Sequence, residues 1–272
     1  MNKNSIKISV IMGVYNSDPM MLCAAIDSIL NQTYRDFELI ICDDCSTEPA
    51  VVKVLDYYQS RDNRVRIIRN SKNRGLAYSL NKCLFNSYGE FIARMDDDDV
   101  AHKDRFQEQV DFLMTHDEIS IVGTNIILID DNDRSWGNVK NIEYPTKYSF
   151  LYGTPFTHPT IMARRNAYIS VDGYSVEKRT RRTEDYDLFM KMYAKGFKGY
   201  NLQNCLLDYR MGDYGLKKQK FRYRIDEVFI KYKGFKTLHL FPIGYIFLLK
   251  PIISGLTPSF IKKRINVARF NG

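Results

Sequence analysis

Four short apolar runs, at residues 7–14, 37–42, 65–69 and 91–95, alternate with stretches of helical periodicity. Leu22, Ile26, Ile29 and Leu30 share one face of a helix predicted over 20–30. A second helix is expected over 51–58, and Gly75 opens a third through Leu80 and Leu84. The apolar runs are nearly continuous, as in strands covered on both faces. Such alternation predicts an α/β fold with a mostly parallel sheet flanked by helices. A further strand is expected within 119–129. In sheets of this kind ligands gather beyond the carboxyl ends of the strands. Three polar signals fall there: Tyr15-Asn16, Asp43-Asp44 and the run Asp96 to Asp99.

The four consecutive aspartates carry the strongest chemistry. Aspartate is a poor strand former, and four adjacent like charges repel. The run makes sense if a hard cation sits there, because carboxylate oxygens suit Mg²⁺ or Mn²⁺. A solvated acidic turn, or a cap for a helix starting near Asp104, is the plainer alternative. An aspartate at a strand end can also accept from the N3–H of uracil or bond ribose hydroxyls. Together these features describe a nucleotide-diphosphate site without a phosphate loop, and neither G-x-x-x-x-G-K-[ST] nor G-x-G-x-x-G occurs.

The six motifs Val10-Ile-Met-Gly-Val-Tyr-Asn16, Ser28-Ile-Leu-Asn-Gln-Thr33, Phe37-Glu-Leu-Ile-Ile-Cys-Asp-Asp-Cys-Ser46, Asn73-Arg-Gly-Leu76, Ala93-Arg-Met-Asp-Asp-Asp-Asp99 and Thr183-Glu-Asp-Tyr-Asp-Leu188 occur in this order. The series resembles that of family 2 glycosyltransferases of GT-A fold, over about residues 5–210. His158-Pro-Thr-Ile-Met162 resembles a segment of members that assemble bacterial polysaccharides. The resemblance implies that Asp44 binds uracil, that Tyr15 lies near the base, and that Asp96 and Asp97 face ribose and phosphates. It makes Asp98 the main metal ligand, with Asp96 beside it, and Asp185 the general base. Many relatives have a small residue where Asp97 stands, so the extra carboxylate blurs the division of roles. The implied reaction is an inverting, Mn²⁺- or Mg²⁺-dependent transfer of a hexose, glucose or galactose favoured. Its donor is a UDP-sugar and its acceptor a lipid-diphosphate-linked glycan of a cell-surface polysaccharide such as an O-antigen or capsule. Thr183 and the acids after it also suit a helix N-terminus, a role compatible with catalysis.

Other features are read more plainly. Cys42-Asp-Asp-Cys45 closes a strand rather than opening a helix, which disfavours a thiol or zinc function. His158, Arg181, Arg182 and Glu184 are candidate acceptor or phosphate contacts, with a structural histidine and a solvated basic loop as alternatives. Trp136, the only tryptophan, either stacks on a sugar ring or covers apolar surface. A sugar nucleotidyltransferase would carry a Gly-rich basic loop where this chain reads Gly13-Val14-Tyr15-Asn16. A non-catalytic carbohydrate-binding protein would need neither Asp98 nor Asp185.

The net charge of +8 is uneven. From Lys217 onward thirteen lysines and arginines face Asp226 and Glu227, a balance of +11, so residues 1–216 carry −3. The chain therefore reads as a catalytic domain over 1–216 and a basic, partly apolar helical tail over 217–272. Within the tail, 238–256 is apolar but broken by Pro242, Lys250 and Pro251, too interrupted for a confident span. Apolar residues between basic clusters suit an anchor on an anionic membrane surface rather than a nucleic-acid site. The N-terminus shows no apolar leader, and five cysteines form no disulfide framework. The expected location is cytoplasmic, peripheral on the inner face of the cell membrane.

Overall fold

The computed structural model of the chain describes residues 7–212 and 221–257. Strands β1 (Ile8–Val14), β2 (Phe37–Asp43), β3 (Val65–Arg69) and β4 (Phe91–Arg94) form a parallel sheet in the order β3-β2-β1-β4. Helices α1 (Pro19–Leu30), α2 (Pro49–Arg61) and α3 (Leu76–Phe85) make the crossovers. Proline in the first turn starts α1 and α2, where a missing N–H costs nothing. Asp18 caps α1 by accepting from the Met20 and Met21 amides. Gly75 enters α3 at φ +88°, a conformation glycine adopts without strain.

Beyond β4 the sheet becomes mixed. After β5 (Val100–Ala101) and α4 (Arg105–Thr115) come β6 (Ile121–Ile129) and β7 (Ser135–Val139). They are followed by β8 (Met162–Arg164), α5 (Arg165–Ile169), α6 (Glu184–Ala194) and β9 (Gly199–Arg210). The order continues β4-β8-β6-β9-β5, with β7 beside β6. β8 joins β4 and β6 antiparallel, whereas β6 and β9 pair in parallel. An antiparallel neighbour needs no crossover helix, so the three-residue β8 can enter from a loop.

Strand alternation sends side chains to two apolar layers. Val10 and Met12 pack with Leu22, Ile26, Leu55 and Phe106 on one face. Ile11 packs with Leu80, Tyr168, Leu188 and Phe189 on the other. The second layer extends into the tail. Helices α7 (Phe221–Thr237), α8 (Gly244–Phe247) and α9 (Lys250–Leu256) follow β9. Ile230 and Phe235 of α7, with Leu238 and Leu240, share a cluster with Phe189 and Met190 of α6. The boundary expected at residue 216 lies outside the described residues, as do the basic residues at 217, 218, 220, 262–264 and 269. Among the described residues no helix is long and apolar enough to cross a membrane.

Gly89 sets the approach to β4. Its amide donates to Ser9 Oγ at 2.7 Å, and a Cβ there would lie 2.4 Å from the Ser9 backbone nitrogen. That backbone cannot yield without breaking the β1–β4 ladder. Gly89→Ala is expected to lower stability by about 1–3 kcal/mol, read as a lower urea midpoint.

Candidate active site

β1, β2 and β4 run parallel, so their carboxyl ends share one edge. Asp44 follows β2 and is buried. It accepts from Asn70 Nδ2 at 2.7 Å, the Arg74 amide at 2.8 Å and the Gly75 amide at 2.7 Å. Three of its roughly four acceptor positions are therefore used to fix the start of α3. Tyr15 follows β1 and stands 48% exposed. Asn16 next to it adopts φ 49° and accepts from the Thr47 amide at 2.8 Å. This contact ties the loop after β1 to the one after β2.

The aspartate run links β4 to β5. Asp96, Asp98 and Asp99 each bring a carboxylate oxygen within 4.8 Å of the others. Asp97 turns away and accepts from Ser17 Oγ. Asp99 is fully buried; one oxygen accepts from the Arg210 amide at 2.8 Å. Its Oδ2 has no hydrogen-bond partner among the described residues. A buried carboxylate that keeps one oxygen unpartnered beside two more carboxylates fits a hard divalent cation. Asp96, Asp98 and Asp99 are thus the residues that could hold one. Asp99 was not singled out as a ligand from the sequence; its place in the run was the available signal.

Buried cations offset this acid loop. Arg94 ends β4, is 2% exposed and pairs with Asp96. Burial opposes its charge, but the Asp96 carboxylate outweighs this and raises its pKa. Its Nε and Nη1 have no hydrogen-bond partner among the described residues. Arg105 lies beneath, donating to the Arg94 carbonyl at 2.8 Å, with its pKa pulled down to about 9 by burial. Arg210 donates to the Asp98 carbonyl at 2.8 Å. The remaining charge imbalance shows in the acids. Burial, reinforced by Asp96, pushes Asp97 up to about 6. Burial and the neighbouring Asp96 and Asp97 push Asp98 to about 7.

Asp185 and Glu184 open α6. Burial and repulsion by Glu184 push Asp185 up to about 7, against the attraction of Arg94. The charge of Arg94 therefore acts on both the aspartate run and this second acidic pair. His158 Nε2 lies 2.8 Å from the Tyr174 hydroxyl, and burial with Arg94 holds the imidazole pKa well below its ordinary value. Arg182 lines a cavity with Asp185, takes φ 67° and lies over the Tyr223 ring at 5.5 Å. Arg181 stands exposed beside it. Trp136 sits on β7, packed against the first apolar layer. Arg94 lies inside the Ala93-to-Asp99 motif but carried no role of its own there, and Arg210 and the α7 residues at the Asp185 cavity were not marked by any motif.

The fold is that of GT-A glycosyltransferases. Residues 1–349 of S. aureus TarS, in a crystal structure with UDP-GlcNAc, superpose with TM-score 0.67 at 20% identity, covering 83% of this chain and 66% of that one. The mannosyltransferase PcManGT from Pyrobaculum calidifontis, with GDP-Man and Mn²⁺, gives TM-score 0.62 at 16% identity over 96% of this chain and 79% of that one. In sequence, the family model "Glycosyl transferase family 2" matches residues 9–174. EpsE of Bacillus subtilis (strain 168), named as a glycosyltransferase, is 38% identical over 97% of this chain and 94% of its own. The O-antigen biosynthesis glycosyltransferase WbnJ of Escherichia coli is 34% identical over 79% and 84%. The chain belongs to glycosyltransferase family 2.

The raised carboxyls give the metal-free protein a definite pH dependence. Groups held protonated above their unfolded values favour the folded state at low pH. That contribution fades as pH rises through the folded values of about 6 to 7 at Asp97, Asp98 and Asp185. His158, held neutral, opposes the trend, while Asp99 and Glu184, raised by burial as well, add to it. In EDTA the Tm is expected to fall between pH 5.5 and 7.5. Adding Mn²⁺ at pH 7.5 should restore it, and Asp98→Asn should flatten the profile.

Proposed function

We propose that this chain is an inverting, metal-dependent hexosyltransferase. It moves a hexose, glucose or galactose favoured, from a UDP-sugar to a lipid-diphosphate-linked glycan during cell-surface polysaccharide assembly. The observation that carries the reading is the convergence of the Asp96, Asp98 and Asp99 carboxylates at the strand edge, with Asp185 lining a cavity at the start of α6. Membership of the family sets aside the sugar nucleotidyltransferase and carbohydrate-binder readings. The UDP-Gal:alpha-D-GlcNAc-diphosphoundecaprenol beta-1,3-galactosyltransferase of Escherichia coli, 28% identical over 96% of this chain and 93% of its own, supports the donor and acceptor classes.

In this mechanism the remaining acceptor position of Asp44 takes the uracil N3–H, and Tyr15 lies by the base. Asp97, held by Ser17, faces the ribose and phosphates. Asp96 and Asp98, with Asp99, hold Mg²⁺ or Mn²⁺. A cation bound there supplies Lewis-acid stabilisation of the leaving diphosphate. Asp185 accepts the proton of the acceptor hydroxyl as its oxygen bonds to the anomeric carbon. The bond from that carbon to UDP breaks in the same displacement, with inversion. A base poised near neutrality suits this task. His158, whose Nε2 lies in hydrogen-bond contact with the Tyr174 hydroxyl, is a candidate acceptor or phosphate contact. Arg181, Arg182 and Glu184 remain candidate acceptor or phosphate contacts, and Trp136 a candidate sugar contact.

The tail is proposed to rest on an anionic membrane at the cytoplasmic face. Ile246, Ile253 and Leu256 of α8 and α9 are between 63% and 71% exposed, next to Lys250. Exposed apolar side chains beside cations fit an interfacial anchor.

Asp185→Asn is expected to keep UDP-sugar binding and to lose about 10²–10⁴-fold in kcat, measured as UDP release. In the wild type, turnover should rise with pH through about 7 as Asp185 ionises. An Asp185→Asn enzyme with wild-type kcat removes Asp185 from the role of base. On vesicles containing anionic lipid, Ile246→Glu with Ile253→Glu should abolish co-sedimentation. High salt should weaken wild-type binding without abolishing it.

A further inference from the structure

The cavity beside Asp185 has two walls of different origin. One comes from Thr154 and the start of α6, with Arg182. The other is α7, through Tyr223, Arg224 and Glu227. Its volume is about 190 Å³. The two guanidinium groups differ in how they are held. Arg224 Nη1 donates to Glu227 Oε2 at 3.0 Å. Glu227 is itself braced by Lys231, 3.8 Å away and only 2% exposed. The Arg182 guanidinium makes no ion pair among the described residues and lies over the Tyr223 ring; its backbone, not its side chain, bonds the Glu184 carboxylate. Its left-handed backbone is one a non-glycine residue seldom takes, and such strain concentrates where ligands are bound.

The cavity also adjoins apolar surface. Gly153 lines it, and the preceding Tyr152 packs edge-on against Phe247 of α8 at 5.1 Å. Lys250 of α9 donates to the Tyr152 carbonyl. The exposed apolar residues of α8 and α9 therefore begin where the rim of the cavity ends.

Resting on the reading above, we infer that α7 builds the acceptor subsite, and that Arg182 and Arg224 grip the diphosphate of a lipid-linked acceptor. Two guanidinium groups lining one cavity can match phosphate oxygens, and a lipid chain leaving that point would run along α8 and α9. Glu227 is a positioning residue: it aims Arg224 while Lys231 keeps Glu227 in place. The first sugar of the acceptor then lies against Asp185.

The test uses the full chain with saturating UDP and Mn²⁺, so that the donor diphosphate site is filled. Farnesyl diphosphate is the probe, and binding is followed by calorimetry. Wild type should bind it. Arg224→Gln and Arg182→Gln should each weaken binding about tenfold, the equivalent of one charge-assisted contact. Glu227→Gln should weaken it less, and farnesol should not bind in this cavity in any variant. UDP affinity and Tm report separately on the donor site and on folding. Failure of wild type to bind UDP with Mn²⁺ overturns the proposed function itself. Normal UDP binding with no affinity for farnesyl diphosphate, or equal affinity in wild type and both arginine variants, overturns the α7 subsite alone.

Discussion

The structure turns on the balance between one acidic loop and the arginines beneath it. Like charges about 4 Å apart near a protein surface repel by about 4 kcal/mol. Four aspartates in sequence could not be held in one conformation without compensation. Arg94 supplies it from the end of β4, paired with Asp96. Arg105 supports the Arg94 carbonyl from α4, and Arg210 reaches the loop from β9. Three elements distant in sequence are thereby committed to the same edge. The strand order that places β4 in the middle of the sheet follows the same requirement. The compensation is incomplete, since Asp98 remains protonated up to about pH 7. Burial together with the neighbouring carboxylates holds that acid up, an environment that a divalent cation would relieve.

Much of this was legible in the sequence, for reasons that can be named. The first four strands are uninterrupted apolar runs, and their helices carry clear periodicity, so the parallel half was readable. The edge occupied by Tyr15, Asp44 and the aspartate run followed from that alternation. The second half was harder. β8 has three residues, β5 two, and β9 mixes polar and apolar positions, so none presents a periodic signal. Their pairing is set by tertiary contacts such as the Arg210 amide to Asp99. Within the site, the run announced a metal but not which oxygens converge. Ser17 draws Asp97 aside, and Asp99 takes its place in the cluster. A contact spanning eighty positions leaves no local trace.

Arg94 stood in a quoted motif, yet its role was not legible there. An arginine in an apolar strand reads as an interruption, whereas its burial is what joins two acidic groups. It acts on Asp96 directly and on Asp185 and His158 through the field of a desolvated charge. Burial first, and then this one charge, hold the imidazole neutral, while the same charge favours the carboxylate form of the acids. The opposite signs follow from the same positive charge.

The packing of α7 onto α6 bears on how such enzymes can diversify. Gly234 of α7 lies so close to Met190 of α6 that a Cβ would fall 2.2 Å from the methionine sulfur. The two helices pack closely at this point, the glycine leaving room for the methionine side chain. The segment after β9 is therefore not an interchangeable appendage that recombination could append to any related catalytic body. A transplanted tail would have to bring its own α6 surface with it. Inheritance of the wall beside Asp185 is accordingly tied to inheritance of the helix that carries Asp185.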